Sequence, residues 1–459
     1  MKEKVVLIGA GSASFTRGLV ADLVARNWEM DLGLVDIDPN ALAVAEGLAR
    51  KMIEAKKVPI KLSASTDRRD VLKGATAIIC TVGVGGRRAW EQDVFIPRKH
   101  GIFQPVGDSV MPGGSSRALR MIPAMVGVAK DVLDLAPGAL FFNYGNPMPP
   151  VCRGIRKATG ANVVGLCHGV FHVGYELSQH LGVDFNRFKY TAVGINHMTW
   201  FTEIRVDGQD AMPQLRKVAE QKLAEFPKAL ANLGKKFAEA GAAPSWGSSI
   251  DSYNPFSWQL TLLFNAYPAC NDRHVTEFFP RLFAREKSFF GQTLGVDGYR
   301  FEDTIKWGDR GFEEMREIAL SKDPLPADYF DHISGEHEQV VDIIDSIRTD
   351  AGRVYSANLP NKGQVPNLPE DAILEGPAVA DGAGVRPIAL PPMSPGLAGT
   401  LATRLQWVET IVDAALEGSR DRFIQALLLD GAVDSIDQAT KLADDLLAAQ
   451  AQYLPQFGQ

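Results

Sequence analysis

The chain is poor in cysteine, and its cysteines are not arranged to staple a fold. Cys80, Cys152, Cys167 and Cys270 are the only four in 459 residues, and no two form a CxxC pair. Structural disulfides are therefore not expected, and a cytoplasmic setting fits. No run of about 18 apolar residues occurs, so no membrane span is expected. The opening MKEKVVLIGAG lacks a charged leader, an apolar stretch and a small-residue cleavage site, so no signal peptide is expected either. Nor is there a block of Lys and Arg. With 48 basic against 55 acidic residues and a net charge of -7, nucleic acid is disfavoured as the main partner. A small anionic substrate stays open, since one or two local arginines would suffice. Repeats and low-complexity segments are also missing.

What is present is an ordinary globular composition, 46% hydrophobic and 22% charged. The length suits two lobes better than one. Over the first 165 residues apolar strands alternate with helical periodicity. Strands are expected at Val5–Ile8, Leu32–Val35, Ile60–Ser63, Ala75–Val82, Ala139–Phe142 and Val163–Leu166. Helices are expected at Phe15–Arg26, Asn40–Ala55 and Ser115–Leu135. Such alternation implies an α/β fold with a doubly wound parallel sheet. The second half is less regular. Gln214–Gly241 and Glu336–Thr349 read as helix, and Ser245–Pro255 as loop. Ala357–Pro369 reads as loop or irregular strand, Val385–Ala398 as extended, and Gly399–Gln452 as two or three closing helices.

After the first strand comes Gly9-Ala10-Gly11-Ser12-Ala13-Ser14. Glycines at 9 and 11 let the backbone turn tightly and approach a pyrophosphate, at which the next helix points its amide groups. Ser14 stands where GxGxxG has its third glycine. Asp36 closes the second strand, at the distance where a carboxylate takes the ribose hydroxyls of NAD rather than the phosphate of NADP, with Asp38 as its rival.

Polar residues follow other strands. Cys167 and His168 come after Val163–Leu166, and Asn196-His197 after a second apolar run. A thiolate and an imidazole suit a borderline divalent ion, although each residue alone is as compatible with a structural role. Asn146 precedes Pro147 and is held extended, with an amide able to donate to and accept from a sugar hydroxyl. Gly107 to Ser115 is a loop carrying Asp108 and leading into a helix with Arg117 and Arg120. Asp272-Arg273-His274 is a polar triplet, either a site or a surface ion-pair cluster.

Together, VLIGAGSASF, LVDID, GDSVMPGGSSRALR, NYGNPM, GLCHG, GINHMTW, DRHVTEFFP and ANLPNKGQVPNLP resemble glycoside hydrolase family 4, in family order from residue 5 to about 369. The resemblance implies a Rossmann-type NAD-binding domain over residues 1–190, like that of lactate and malate dehydrogenases. A C-terminal α+β domain for substrate, metal and oligomerisation would span 191–459. It implies NAD that is used and regenerated, a divalent ion (usually manganese), and a homodimer or homotetramer. Gly9, Gly11, Ser12 and Asp36 would hold NAD, Cys167 and His197 the metal, and Asn146, Arg273 and His274 the sugar. The implied chemistry is hydride removal from C3, loss of the C2 proton, elimination of the aglycone, addition of water and return of the hydride, an exception to two-carboxylate hydrolysis.

Three departures bear on the substrate. Family members often place a tyrosine, as C2 base, where Phe264 stands, so Tyr267 is nominated, with a metal-bound hydroxide as the alternative. Phospho-sugar members tend to carry Asp and Arg at the positions of His168 and Trp90, which points to a non-phosphorylated glycoside. His168 then leads as leaving-group acid, with Asp108 behind it. The loop GDSVMPGG replaces the more usual GDT or GET type. The CHG form resembles the α-glycosidase branches. An acidic sugar, an α-uronide or sulfosugar, is favoured slightly over a neutral α-galactoside or α-glucoside, with Arg88 (and Arg87) as partner for its charge. The rivals are an NAD-dependent dehydrogenase of a sugar or 2-hydroxy acid, which would accumulate NADH, and a non-catalytic NAD sensor.

Overall fold

The computed structural model describes residues 2–13, 15–26, 28–240, 253–333 and 339–458, without the side chains of 233–240. Thirteen strands form one sheet: β1 Lys2–Ile8, β2 Glu29–Val35, β3 Ile60–Ser65, β4 Ala77–Cys80, β5 Leu140–Asn143, β6 Val163–Gly165, β7 Phe188–Ile195, β8 Met198–Val206, β9 Gln209–Asp210, β10 Tyr267–Pro268, β11 Arg353–Pro360, β12 Ile373–Asp381 and β13 Gly384–Pro387. The order is β10-β8-β7-β12-β11-β6-β5-β4-β1-β2-β3, with β9 beside β8 and β13 beside β12. The first six strands are mutually parallel, in the order 6-5-4-1-2-3 of a dinucleotide-binding sheet. The rest pair antiparallel.

Burial on both faces explains the unbroken apolar strands. In β1, Val6 and Ile8 face one core with Ile78 and Cys80 of β4, whereas Val5 and Leu7 face the other with Ala77 and Ile79. Alternate side chains point to opposite faces, so a strand covered by helices on both sides must be apolar throughout. The expected strands and helices of this half are all present.

Beyond residue 165 the structure departs from several expectations. Ala357–Pro369 begins as strand β11, then turns around Asn361, whose Nδ2 donates to the carbonyls of Val365, Leu368 and Pro369. Val385–Ala398 is extended only as far as Pro387 in β13, and a helix, Pro395–Glu417, starts inside it. Ser394 caps that helix through Leu397 N, and Pro395 occupies its first position, where no N–H is needed. Two further helices, Arg420–Asp430 and Ile436–Gln450, complete the expected closing set. Residues 245–252 of the expected loop lie outside the described residues, and its last member, Pro255, opens the helix Pro255–Phe264. The helix expected at Glu336–Thr349 is described as Val340–Arg348, with 336–338 outside the described residues. No described helix is long and apolar enough to cross a membrane.

Candidate active site

The carboxyl ends of the parallel strands carry two adjoining features. The first is the glycine loop between β1 and the helix Thr16–Ala25. Asp36, just past β2, accepts from Gly11 N at 2.8 Å and from Asp38 N at 3.0 Å. A Cβ on Gly11 would sit 2.7 Å from Asp36 Oδ2 and 2.6 Å from Ala41 Cβ, so only glycine lets the loop close on this carboxylate. Asp38 is the N-cap of the helix Pro39–Lys56, accepting from Asn40 N and Ala41 N. Asp36 thus shapes the loop, and Asp38 caps a helix.

The second feature is a cluster of sulfur, imidazole and carboxylate. Cys167 follows β6 and leads into the helix Gly169–His180. His197 sits in the two-residue turn joining β7 to β8, with φ of 68°, a left-handed conformation that a side-chain-bearing residue adopts at some cost. Cys270 precedes the short helix Asn271–Val275. One ligand atom each from Cys167, His197 and Cys270 lies within 4.8 Å of the others, as do atoms of Asp108, His197 and His274. The two triplets share His197, and its ring centroid is 4.1 Å from that of His274.

The hydrogen bonds orient this imidazole. Ser109 Oγ donates to Asp108 Oδ1 at 2.7 Å and lies 2.8 Å from His197 Nδ1. A hydroxyl has one proton, so the His197 Nδ1–H donates to Ser109, leaving Nε2 as the lone pair for a metal. Asp108 Oδ2 accepts from Asn146 Nδ2 at 3.0 Å, and Arg117 Nε donates to the Asn146 carbonyl. The loop carrying Asp108 lies flush on the helix Met111–Leu135, because a Cβ on Gly114 would fall 2.4 Å from the Ser109 carbonyl carbon.

The charges follow from this packing. Burial opposes ionisation of Asp108, but the fields of His197, His274 and Arg117 outweigh it and hold the carboxyl at about 2. The Cys270 thiol, against the effect of burial and with help from His197, draws the Cys167 thiol well below its ordinary range. Burial disfavours protonated His197, yet the Cys167 thiolate and Asp108 raise it to about 9. A divalent ion would replace these protons, as ligation of thiolate and imidazole requires. By contrast, burial pushes the Cys152 thiol up to about 12 and the Cys80 thiol higher, and neither lies in a cluster of candidate ligands among the described residues.

This donor set sits on a dinucleotide-binding sheet, and the sequence can be placed. Residues 4–183 match family 4 glycosyl hydrolase, and residues 192–433 match the family 4 glycosyl hydrolase C-terminal domain. The chain belongs to glycosyl hydrolase family 4. It is 31% identical to an α-glucosidase of Erwinia rhapontici, over 99% of each chain. It is 30% identical to an α-galactosidase of Rhizobium meliloti (strain 1021), over 99% of this chain and 89% of that one. A 6-phospho-α-glucosidase from gut microorganisms, solved in complex with NAD and Mn2+, shares the fold with a TM-score of 0.82. It is 21% identical, covering 99% of this chain and 100% of that one.

Within this family 4 chain the structure brings together Asp108, Asn146, Cys167, His197 and His274 from five separate segments. His168, beside Cys167, is half-buried; its carbonyl accepts from His172 N, and its imidazole makes no hydrogen bond to a described residue. Arg273, one residue before His274, donates to Thr304 Oγ1 at 2.7 Å. Tyr267 is not brought to the cluster: its hydroxyl donates to Asn271 Oδ1, and its ring packs on Trp258 in a separate core. Arg88 is also turned away, its guanidinium held by Glu91 at 2.9 Å and Asp309 at 2.5 Å on the surface, where Arg87 joins it.

Four residues of the site escaped sequence reasoning. Cys270 adjoins Cys167. Glu375, buried on β12, accepts from Thr199 Oγ1 at 2.6 Å and from Asn196 Nδ2 and Asn358 Nδ2 at 3.3 Å each, anchoring the His197 turn from below. Glu277 accepts from Val106 N and Gly107 N and pins the Asp108 loop. Arg117, seen only as a helix residue, uses Nε alone, and its terminal nitrogens make no hydrogen bond to any described residue. No spacing rule links these positions. The one available clue was that Glu277 lies three residues beyond the DRH triplet.

Proposed function

We propose that this glycosidase hydrolyses a non-phosphorylated α-glycoside of an acidic sugar, with NAD and a divalent ion as cofactors, by transient oxidation at C3. The observation that carries the reading is the set of Cys167, His197, Asp108 and Asn146 gathered at strand ends on the same sheet edge as the glycine loop. From β1 to β6 is three strand spacings, about 14 Å, a span that an extended dinucleotide bridges. Both cofactors fit the residues present. The loop closes on Asp36 with space only for glycine, and a thiolate and an oriented imidazole form half of a tetrahedral shell. When bound, NAD takes up and returns the C3 hydride, and the ion withdraws charge from the C2 and C3 oxygens.

The chain's own groups do the rest. Asn146, with Nδ2 committed to Asp108, offers Oδ1 to a sugar hydroxyl. Asp108, held ionised chiefly by His197, His274 and Arg117, with help from the Ser109 hydroxyl, cannot be the acid, so donation to the leaving oxygen falls to His168. Tyr267 is spent on Asn271 and Phe264 packs on Trp200. The C2 proton is therefore assigned to His274, whose imidazole is held well below its ordinary range by burial and the neighbouring His197, and whose buried Nδ1 has no hydrogen-bond partner among the described residues. Arg117 replaces Arg88 as the partner for a charged substituent. Trp90, at the position of the phospho-sugar arginine, donates to Val106 O and lays its ring against Arg117.

The test is a panel of aryl α-glycosides: galactoside, glucoside, galacturonide, glucuronide and a sulfonated glucoside. Each is assayed with NAD and Mn2+, with and without chelator, following aglycone and NADH together. Release from an acidic glycoside that needs both cofactors, without net NADH, is expected. Stoichiometric NADH without aglycone would replace the reading with a dehydrogenase, and release from neutral glycosides alone would remove the acidic-sugar assignment.

A further inference from the structure

Cys270 has no role in the reading above, yet its sulfur belongs to the same triplet as Cys167 and His197. Several features hold it there. Cys270 has φ of 73°, the left-handed region, immediately before the helix Asn271–Val275. Its Sγ occupies space that exists only because residue 169 is glycine: a Cβ there would fall 2.3 Å from Cys270 Sγ and 3.4 Å from Cys167 Sγ. Both sulfurs are free thiols on half-buried residues, unlike the fully buried Cys80 and Cys152. In a tetrahedral shell with metal–sulfur bonds of about 2.3 Å the two sulfurs stand on the order of 4 Å apart, so sulfurs already within 4.8 Å of one another need little closure.

We infer that Cys270 is a third protein ligand of the metal site, giving a centre of two thiolates and one imidazole that selects zinc or another borderline ion over manganese. This rests on the reading that Cys167 and His197 hold a metal. Thiolates favour zinc and cobalt, whereas manganese(II) sits at the weak end of the affinity order and prefers oxygen donors. Three protein ligands leave the fourth position for a substrate oxygen or water, as in catalytic rather than structural zinc sites.

The experiment uses the full chain, reduced and stripped of metal, titrated with Co2+ and then with Zn2+ and Mn2+ separately. Sulfur-to-cobalt charge transfer in the near ultraviolet counts thiolate ligands independently of turnover. Cys270→Ser and Cys270→Ala are compared with Cys167→Ser, with thermal unfolding reporting that each variant folds. The expected result is about half the wild-type charge-transfer intensity in both Cys270 variants. Zn2+ affinity should fall more than about 100-fold, beyond the cost of losing an outer-shell partner, while Mn2+ affinity changes by a few-fold only. Unchanged intensity and Zn2+ affinity in the Cys270 variants, with Cys167→Ser impaired, overturns the inference and leaves the proposed function standing. Absence of charge transfer from the wild-type chain overturns both.

Discussion

The glycine loop and the sulfur–imidazole cluster occupy the same sheet edge but are built in opposite ways. The loop is local: residues 9 to 12 and the acid at 36 belong to one strand–helix–strand unit, and the bonds from Asp36 to Gly11 and Asp38 span 25 and 2 residues. The cluster is non-local. Asp108 to His197, joined through Ser109, spans 88 residues for the Ser109–His197 contact, and the Thr199–Glu375 bond beneath the turn spans 176. A local site tolerates little change in its own few residues. A distributed one depends on the packing of elements that carry no chemistry, such as Gly114 and Glu277.

The sharpest test of this contrast is removal of a donor. Cys167→Ser or His197→Ala should lower turnover about 1,000-fold or more, since metal charge stabilisation is worth several kcal/mol, while NAD binding, measured by fluorescence titration, stays within a few-fold. A parallel loss of NAD affinity would show that the two regions are not separable. The converse is Gly11→Ala. Its Cβ would meet Asp36 Oδ2 at 2.7 Å, so NAD affinity should fall about tenfold or more (~1.4 kcal/mol) with Co2+ binding preserved.

Glu277 probes the supporting shell. Burial raises its carboxyl to about 8, against the opposing pull of Val106 N and Gly107 N. A raised acid contributes stability that is complete below its unfolded value and is lost as the pH climbs through the folded one. Stability should therefore decline between about pH 4.5 and 8 by on the order of a few kcal/mol. Glu277→Gln should flatten that decline in thermal melts across the range, and an unaltered profile would place the titration elsewhere. The smallest effect separates two arginines. Arg88→Ala removes exposed pairs worth under about 1 kcal/mol and should leave KM within about twofold. Arg117→Ala should raise KM for a charged glycoside selectively. Equal effects of both on charged and neutral substrates would count against Arg117 as the anion's partner.

The parallel half of the sheet was legible because its signals are contiguous. Val5–Ile8 and the Ala77–Cys80 centre of Ala75–Val82 are apolar throughout, as strands between two helical layers must be, and the observed strands fall within or around the expected ones. The second half was read less well where one signal hid another. Ser394-Pro395 is a helix start, but it lies in a stretch so rich in proline and glycine that its composition reads as extended. In the site, the resemblance and the strand-end positions marked Cys167, His197, Asn146 and Asp108, which the structure gathers. Arg88 and Tyr267 were nominated from sequence position, and the structure commits both to other partners.

Sequence by itself determined the α/β alternation, the glycine loop with its acid, and the type of donor offered at the strand ends, because each is written in neighbouring residues. Only the tertiary structure decided which tautomer His197 adopts, which arginine is unspent, and that Cys270 lies beside Cys167. Those outcomes depend on distances between atoms far apart in the chain, 88 residues for Ser109 and His197 and 221 for Arg88 and Asp309, which the closing of the sheet and the packing of its loops create.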